Sequence, residues 1–279
     1  ASDVYKRQIM AWLLGFGEPL VVKKDKKMIE RSCSHAWKDA GIYTLATNRN
    51  TGKEIYLLAD AGPQGYLSIA AHGHADALSF TLYAGGKPFF IDPGTYSYFS
   101  HPEWRRYFTG TRAHNTLVVN RSSQSINQGA FLWARHARPF VHRWTPEEEG
   151  GILTASHNGY QKRYGVTHTR RIQLERNIVR ISDKLSGRGR HQCELLFHLH
   201  PDCEVVQEST HRLKISNLNV HIFINLPECS EVELARGQTP LGWYSPRFGV
   251  KVPTYTISAS GHFSLPVALD SIMEVSFED

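Results

Sequence analysis

Short apolar runs alternate with turn-forming residues along most of the chain. Apolar residues dominate positions 41–46 and 54–58, and the segment between them, 48–52, is polar and contains Asn and Gly. Two such runs around a short polar segment are typical of a β-hairpin, because Asn and Gly adopt the backbone angles of tight turns at little cost. The sequence therefore predicts a hairpin over residues 41–58.

The same pattern continues to the end of the chain. Many of the later runs are rich in Val, Ile, Phe, Tyr and Thr, residue types that suit a pleated, half-buried surface. They predict strands at residues 79–84, 87–91, 116–119, 171–174, 178–181, 194–199, 220–224 and 273–277. After about residue 30 we find no helical period of useful length. The pattern predicts an all-β fold, a large antiparallel multi-stranded β-sandwich with two stacked sheets.

The beginning of the chain has a different pattern. Apolar residues cluster within positions 5–20 until Gly15, Gly17 and Pro19 interrupt them, which predicts a helix. A lysine-rich link at 23–27 follows, so we expect residues 1–30 to be the tail of a helical domain with its linker, and residues 31–279 to form the β-sandwich domain. The start lacks the apolar segment and cleavage site of a signal peptide, so we expect the chain to begin inside a longer protein.

Charge and composition limit the classes of partner. The formal net charge is +6, which suits nucleic acid, anionic lipid or acidic polysaccharide. No apolar run reaches the ~18 residues that a membrane span requires, and no nucleic-acid-binding motif is recognisable. The four cysteines lack the C-x-x-C spacing of a zinc ribbon or a thioredoxin-type site. A disulfide between Cys193 and Cys203 stays open.

Two histidines two residues apart, His72 and His74, stand in the segment HGHADALSF. In an extended strand such residues project from the same face. Two imidazoles on one face are metal ligands, a polar cluster or, for an isolated pair, most often a surface coincidence.

A carboxylate and a third histidine follow at the ends of apolar segments. Asp92 comes directly after Phe89, Phe90 and Ile91, and a buried carboxylate needs a cation or hydrogen-bond donors. The alternative interpretation is a simple Asx turn at Asp92-Pro93-Gly94. His114 stands at the mouth of the next apolar strand. Together His74, Asp92 and His114 offer two imidazoles and a carboxylate, a set that suits Zn²⁺ with water or a second oxygen as a further ligand.

Four motifs in this region carry a resemblance to a known family. They are HGHADALSF from His72, DPGTYSY from Asp92, WRRYF from Trp104 and AHNTL from Ala113. In sequence, order and separation they resemble the C-terminal domain of the heparinase II/III family, which also includes oligo-alginate lyases. The resemblance covers about residue 40 to the C-terminus.

The resemblance implies a two-domain enzyme in which an N-terminal α/α toroid and a C-terminal β-sandwich enclose a substrate cleft. Residues 1–30 would then be a remnant of the toroid. The residues that match the family's zinc ligands are His74, Asp92 and His114, and that zinc is thought to be structural. His72 matches a histidine that faces the cleft and is implicated in catalysis. Arg105 matches an arginine of the family motif, and we place it beside His72 as a catalytic candidate.

These observations favour a polysaccharide lyase that cleaves uronate-containing glycans by β-elimination. Its partners would be an acidic polysaccharide or oligosaccharide and the missing toroid, which carries the family's other proton-transfer residues. This chain alone is therefore expected to be inactive. We assign Tyr96, Tyr98 and Asn115 to substrate binding, and the resemblance implies a periplasmic or extracellular location in bacteria. Two alternatives stay open: a non-catalytic carbohydrate-binding sandwich and a zinc hydrolase whose metal activates water.

Overall fold

The computed structural model describes residues 34–66, 68–238 and 240–278. The helix expected within residues 5–20 and the domain boundary expected near residue 30 lie outside the described residues. The division into domains therefore stays a prediction.

The described chain consists mainly of antiparallel strands. In chain order the strands are β1 His35–Trp37, β2 Ile42–Thr47, β3 Ile55–Asp60, β4 Phe80–Ala84, β5 Lys87–Phe90, β6 Leu117–Val119, β7 Ile126–Asn127, β8 Trp133–Arg135, β9 Pro139–Pro146, β10 Gly151–His157, β11 Thr167–Glu175, β12 Ile178–Ser186, β13 Arg190–His198, β14 Glu204–Gln207, β15 Arg212–Asn217, β16 Val220–Asn225, β17 Glu231–Arg236, β18 Trp243–Arg247, β19 Val250–Pro253, β20 Tyr255–Ser264 and β21 Val267–Phe277. The predicted all-β sandwich is confirmed.

Within the described residues the strands form three larger sheets and two small ribbons. A five-stranded sheet runs in the order β1-β2-β3-β4-β5, and an eight-stranded sheet in the order β14-β15-β16-β21-β12-β11-β10-β9. A four-stranded sheet has the order β17-β20-β13-β6, and the ribbons are β18-β19 and β7-β8. The predicted hairpin is β2-β3, with Thr47 opposite Ile55 next to the turn.

Alternation along the strands places one apolar face of each sheet in a shared core. On β11 every second residue is buried, and Ile172 lies opposite Ile181 of β12 while Leu174 lies opposite Val179. All four side chains are almost completely excluded from solvent. Because side chains in a strand alternate between faces, this register sends the polar residues between them to the outer face.

Short helices interrupt the strands after residue 30, where the sequence shows no helical period of useful length. Helix α1 spans Pro102–Thr109, a 3₁₀ turn spans Thr111–Ala113, and α2 spans Gln161–Tyr164. Proline stands in the first turn of α1, where its missing N–H has no partner to lose. None of the helices among the described residues has the length and apolar character to cross a bilayer.

The disulfide considered between Cys193 and Cys203 is not formed. Both cysteines are free thiols, and both are buried.

A polar network crosses the otherwise apolar inner face of the eight-stranded sheet. Arg170 lies opposite Asp183 in the β11–β12 register, and its Nε and Nη2 donate to the two carboxylate oxygens at 2.7 and 2.9 Å. His168 Nε2 lies 2.6 Å from Asp183 Oδ1, and His157 Nε2 lies 3.1 Å from His168 Nδ1. All four side chains are buried.

The backbone fixes the direction of the hydrogen bonds in this network. Gly159 N–H donates to His157 Nδ1 at 3.1 Å, so His157 carries its proton on Nε2 and donates it to His168. His168 then donates from Nε2 to the carboxylate of Asp183. Burial lowers the pKa of His157 and that of His168, the latter against the opposing influence of Asp183. Two neutral imidazoles and one ion pair therefore satisfy every polar atom along this line.

We predict that Asp183→Asn lowers the free energy of unfolding by about 3–5 kcal/mol, because it leaves the buried Arg170 guanidinium without its counter-charge. The matched control is Glu208→Gln, which removes the partly exposed ion pair between Arg212 and Glu208 and should cost below about 1 kcal/mol. Urea unfolding measures both. Equal losses in the two variants would contradict a special contribution of the buried pair.

We also predict that stability falls as the pH drops below about 6.5, the pKa of an unfolded histidine. The folded pKa of His157 is lower, so the unfolded chain binds more protons, and the stability that is complete above pH 6.5 is lost as the pH falls towards the folded value. Each such histidine adds at most about 1.4 kcal/mol per pH unit to the slope. His157→Gln should show a shallower slope between pH 6.5 and 5.5, measured by urea unfolding. The exposed-histidine variant His262→Gln should retain the original slope.

Candidate metal centre and the surface beside it

The loop between β3 and β4 carries the motif that begins at His72. Its backbone is bound to the end of α1, since Ala75 N–H donates to Thr109 O at 2.8 Å and Thr111 Oγ1 donates to Ala75 O at 2.7 Å. Ser79 N–H donates to Asp76 O at 2.8 Å and closes a turn before β4. These bonds fix the loop on both sides of His74 and Asp76.

Asp92 follows the end of β5 and forms an Asx turn. Its Oδ1 accepts a hydrogen bond from Gly94 N–H at 2.9 Å. Gly94 has a φ of +81°, and a Cβ there would lie 2.4 Å from Ser245 O, so glycine is required at this close approach. The turn and the contact with β18 hold the second carboxylate oxygen, Oδ2, in the direction of His114.

His114 follows the 3₁₀ turn and is completely buried. Its Nδ1 lies 3.0 Å from Asp92 Oδ2. Its other ring nitrogen, Nε2, is buried, and a contact with the backbone of Phe108 contributes to the raised pKa of His114.

Four side chains converge at this point: His74, Asp76, Asp92 and His114. Each offers one ligand atom, and these four atoms lie within 4.8 Å of one another. The structure thus brings together the three residues of the predicted set and adds Asp76, which the sequence analysis did not single out. The spacing His74-x-Asp76 was the available signal, because it repeats the two-residue interval of the preceding histidine pair.

The electrostatics of the cluster suit a cation. Burial and the neighbouring Asp76 raise the pKa of Asp60 to about 7, and burial and Asp92 raise that of Asp76 although His114 opposes them. Asp76 and Asp92 thus each raise the pKa of a neighbouring carboxyl group, as crowded like charges do, and a bound cation relieves that repulsion. Burial and the charge of His114 lower the pKa of His74 to about 3, so its imidazole is neutral near pH 7, as a ligand must be.

Asp92 stays ionised in this environment. Its side chain is 48% exposed. Desolvation by the surrounding protein would raise its pKa, but the hydrogen bond and charge of His114, followed by the charge of His74, lower it to about 2. The same contact raises the pKa of His114, where Asp92 outweighs the effect of burial. Two imidazoles and two carboxylates form a donor set that a divalent metal ion with mixed nitrogen and oxygen preference accepts.

His72 lies in the same loop, two residues before His74. It is exposed and has a φ of +60° in a turn, so the expectation that His72 and His74 share one face of a strand is wrong. Its ring contacts Phe131 at a centroid distance of 4.7 Å and Tyr98 at 5.8 Å. The left-handed turn directs the two histidines into different environments: His72 is exposed to solvent and His74 is largely buried.

Arg105 lies in α1 and only 4% of it is exposed. Its Nε and Nη2 both donate to Ala130 O, at 3.0 and 2.9 Å. Its guanidinium lies 5.1 Å from the ring centroid of Tyr98 and 5.6 Å from that of Phe131. The structure therefore places Arg105 beneath the two aromatic rings that contact His72.

The residues assigned to substrate binding occupy different positions. Tyr98 borders His72, and it also contacts the exposed ring of Phe248 at 5.2 Å. Tyr96 is partly buried and packs against Trp104 and His101. Their roles stay predictions.

Asn115 is buried, and its side-chain amide binds only backbone groups. Its Nδ2 donates to Phe80 O at 2.8 Å and Ile91 O at 2.9 Å, and its Oδ1 accepts from His198 N–H at 2.5 Å. Both the amide nitrogen and the amide oxygen of Asn115 are therefore used in bonds to the backbone of neighbouring strands, which is a structural role. Contact with a substrate stays a prediction.

An all-β sandwich with a cluster of metal-binding side chains beside an exposed histidine is the class of domain that the fold and the site define. The chain belongs to the heparinase II/III-like C-terminal family, whose model matches residues 30–272. The resemblance found in the sequence is thereby confirmed. A comparison with curated protein sequences finds no match.

Solved structures share the fold. Heparan sulfate lyase HepC from Pedobacter heparinus matches with a TM-score of 0.71 and 16% identity, over 88% of this chain and 36% of that one. A heparinase III, the BT4657 gene product, matches with a TM-score of 0.69 and 18% identity, over 87% of this chain and 35% of that one. A further heparinase III gives 0.66 and 19%, over 85% and 35%. The chain thus spans about a third of the length of the structures it matches.

We predict that the purified chain binds a divalent cation and that His114→Ala or Asp76→Asn weakens the affinity by about tenfold or more, because each removes a converging donor. Competition with a chelating dye measures the affinity, and elemental analysis identifies the bound metal. His262→Ala changes an exposed histidine outside the cluster and should bind as the unmodified chain does. Unchanged affinity in Asp76→Asn, with a loss in His114→Ala, would reduce the site to the three residues that the sequence predicted.

Proposed function

We propose that this chain is the β-sandwich part of a polysaccharide lyase that cleaves uronate-containing acidic glycans by β-elimination. The observation that carries the proposal is the position of His72, which is exposed among aromatic rings and lies two residues before His74 of the four-residue cluster. Membership of the heparinase II/III-like family supports it, as do two similar structures whose names describe heparan sulfate lyase and heparinase III activity.

The proposed reaction removes the C5 proton of a uronate and expels the sugar oxygen at C4. The electron pair of the C5–H bond forms a C4–C5 double bond, and the leaving oxygen takes up a proton. Charge that develops on the C5 carboxylate must be neutralised by hydrogen-bond donors or cations. In the proposal His72 contacts the sugar, where it donates to that carboxylate or handles the proton.

Arg105 and Tyr98 would act through the shape of the surface around His72. The Arg105 guanidinium fixes Ala130 O and lies against the rings of Tyr98 and Phe131. We propose that Arg105 holds these rings in place and that Tyr98 and Tyr96 contribute sugar contacts. Arg105 is then a positioning residue.

We propose zinc as the cation of the cluster, held by His74, Asp92, His114 and Asp76. When bound, zinc would supply a structural cross-link between the loop after β3, the turn after β5 and the segment before β6. The residues that hold it would thereby orient the neighbouring His72 turn.

The substrate cleft would need a second wall. We propose that an N-terminal α/α toroid of the same protein supplies it together with further proton-transfer residues, and that the whole enzyme works in the periplasm or outside the cell. The basic net charge of +6 is consistent with an acidic glycan as substrate.

The test uses the full-length protein that carries this chain, with alginate, heparosan and heparan sulfate as substrates. We predict that His72→Ala lowers kcat/KM by about a hundredfold or more for the substrate that is cleaved, whereas His262→Ala does not change it. The ultraviolet absorbance of the unsaturated uronate product measures the rate. Absence of cleavage with all three glycans, or cleavage by hydrolysis without an unsaturated product, would overturn the proposal.

A further inference from the structure

A cleft lined by basic and amide side chains lies at the end of β8, apart from the metal-binding cluster. It encloses about 330 Å³ and is lined by Arg135, His136, Arg138, Asn158, Gln161 and Lys162. We propose that this cleft binds an acidic sugar unit of a glycan, as a subsite remote from the point of cleavage. The role as a subsite rests on the proposed function.

The cations of the cleft have no counter-charge. Among the residues that the structure describes, neither Arg135, Arg138 nor Lys162 forms a salt bridge, and no carboxylate lines the cleft. By contrast, Arg112, Arg170 and Arg212 each pair with a carboxylate, Arg112 with Glu194 at 2.7 Å. Three neighbouring positive charges repel one another, so an anion between them is favourable.

The remaining side chains of the cleft are suited to the hydroxyl and acidic groups of a sugar. Asn158 Oδ1 accepts from Arg138 N–H at 3.0 Å, which leaves its Nδ2 to donate into the cleft. Nδ1 of His136 is buried and has no partner among the described residues. Guanidinium, ammonium and amide N–H groups all donate, and carboxylate and sulfate oxygens accept.

A second cleft shares His136 and Arg138 with the first. It encloses about 460 Å³ and is also lined by Lys38 and Phe140. The ring of Phe140 is 64% exposed. An apolar ring beside donors matches a sugar, which presents C–H groups on one face and polar groups at its edge. A free inorganic anion has no apolar surface and would make no favourable contact with that ring.

Strand β8 connects the cleft with the surface around His72. Trp133, the first residue of β8, donates from Nε1 to Gly73 O at 3.1 Å, and so contacts the residue next to His72. Arg135 stands two residues further along the same strand, about 7 Å away along the backbone. A glycan that lies on the His72 surface can therefore extend along β8 into the basic cleft.

The test is binding to the 279-residue chain, measured by calorimetry with hexasaccharides prepared from alginate and from heparan sulfate. The cleft variant Arg135→Gln, Arg138→Gln, Lys162→Gln should weaken the affinity for an acidic hexasaccharide by about tenfold or more. The control variant Lys184→Gln, Arg188→Gln, Arg190→Gln removes the same charge from exposed positions on β12, on β13 and in the turn between them. It should change the affinity by less than about threefold.

A second pair of variants tests the sugar contact without any change of charge. Phe140→Ser should weaken binding of the hexasaccharide, whereas Val206→Ser, at a 59% exposed position on β14, should not. Thermal unfolding checks that all variants are folded. A cellohexaose sample, neutral and of equal length, should bind the unmodified chain much more weakly than the acidic sugars.

Several outcomes would overturn the inference. Equal losses in the cleft and control variants would show that only net charge matters. No effect of Phe140→Ser, or tighter binding of a single-stranded oligonucleotide than of either acidic hexasaccharide, would make the cleft a general polyanion site. Because the measurement needs no turnover, it is separate from the lyase assay: loss of glycan affinity in the cleft variant supports the subsite chemistry even where the full-length protein cleaves none of the three glycans.

Discussion

The guanidinium of Arg170 is the interaction on which the geometry of the candidate centre depends. Two of its nitrogens bind Asp183, and the third, Nη1, donates to Leu78 O at 2.8 Å and to Asn115 O at 2.7 Å. Leu78 follows the loop of His74 and Asp76, and Asn115 follows His114. One buried side chain thus ties the inner face of the eight-stranded sheet to two of the segments that supply ligands. A buried ion pair adds little net stability, but here it specifies an arrangement.

The side chain of Asn115 also cross-links the segments that carry the candidate metal ligands. Its amide joins carbonyl groups at the start of β4 and directly after β5 to the backbone of His198 in β13. The ligand segments are therefore cross-linked by Arg170 and Asn115 through bonds that involve no metal. The four ligand atoms converge before a cation binds, so little ordering entropy is lost on binding. This preorganisation follows from neutral and charged hydrogen bonds in the core. Repulsion between the carboxylates of the cluster opposes it, and a bound cation would remove that repulsion.

The features that the sequence predicted are local, and those it missed depend on contacts between distant segments. The hairpin of β2 and β3 and the core strands follow from alternation that each segment carries by itself. Helix α1 was missed because eight residues are too few for a clear helical period, and WRRYF also suits a strand. Asp92 satisfied both of its interpretations, since one oxygen forms the Asx turn and the other faces His114. The burial of Arg105 and the backbone bonds of Asn115 depend on segments 24 to 83 residues away, which no local pattern reveals.

In the proposed function, the two histidines of one motif have two different tasks that a single side chain could not perform together. A metal ligand must stay neutral and fixed, and burial keeps the pKa of His74 at about 3. A group that exchanges protons with a sugar must be reached by solvent and substrate, and His72 is exposed. The left-handed backbone at His72, with Gly73 next to it, turns the chain between these two environments within two residues. One turn therefore places an exposed imidazole and a largely buried imidazole two residues apart. A cation bound to His74 would also restrain the direction in which His72 points.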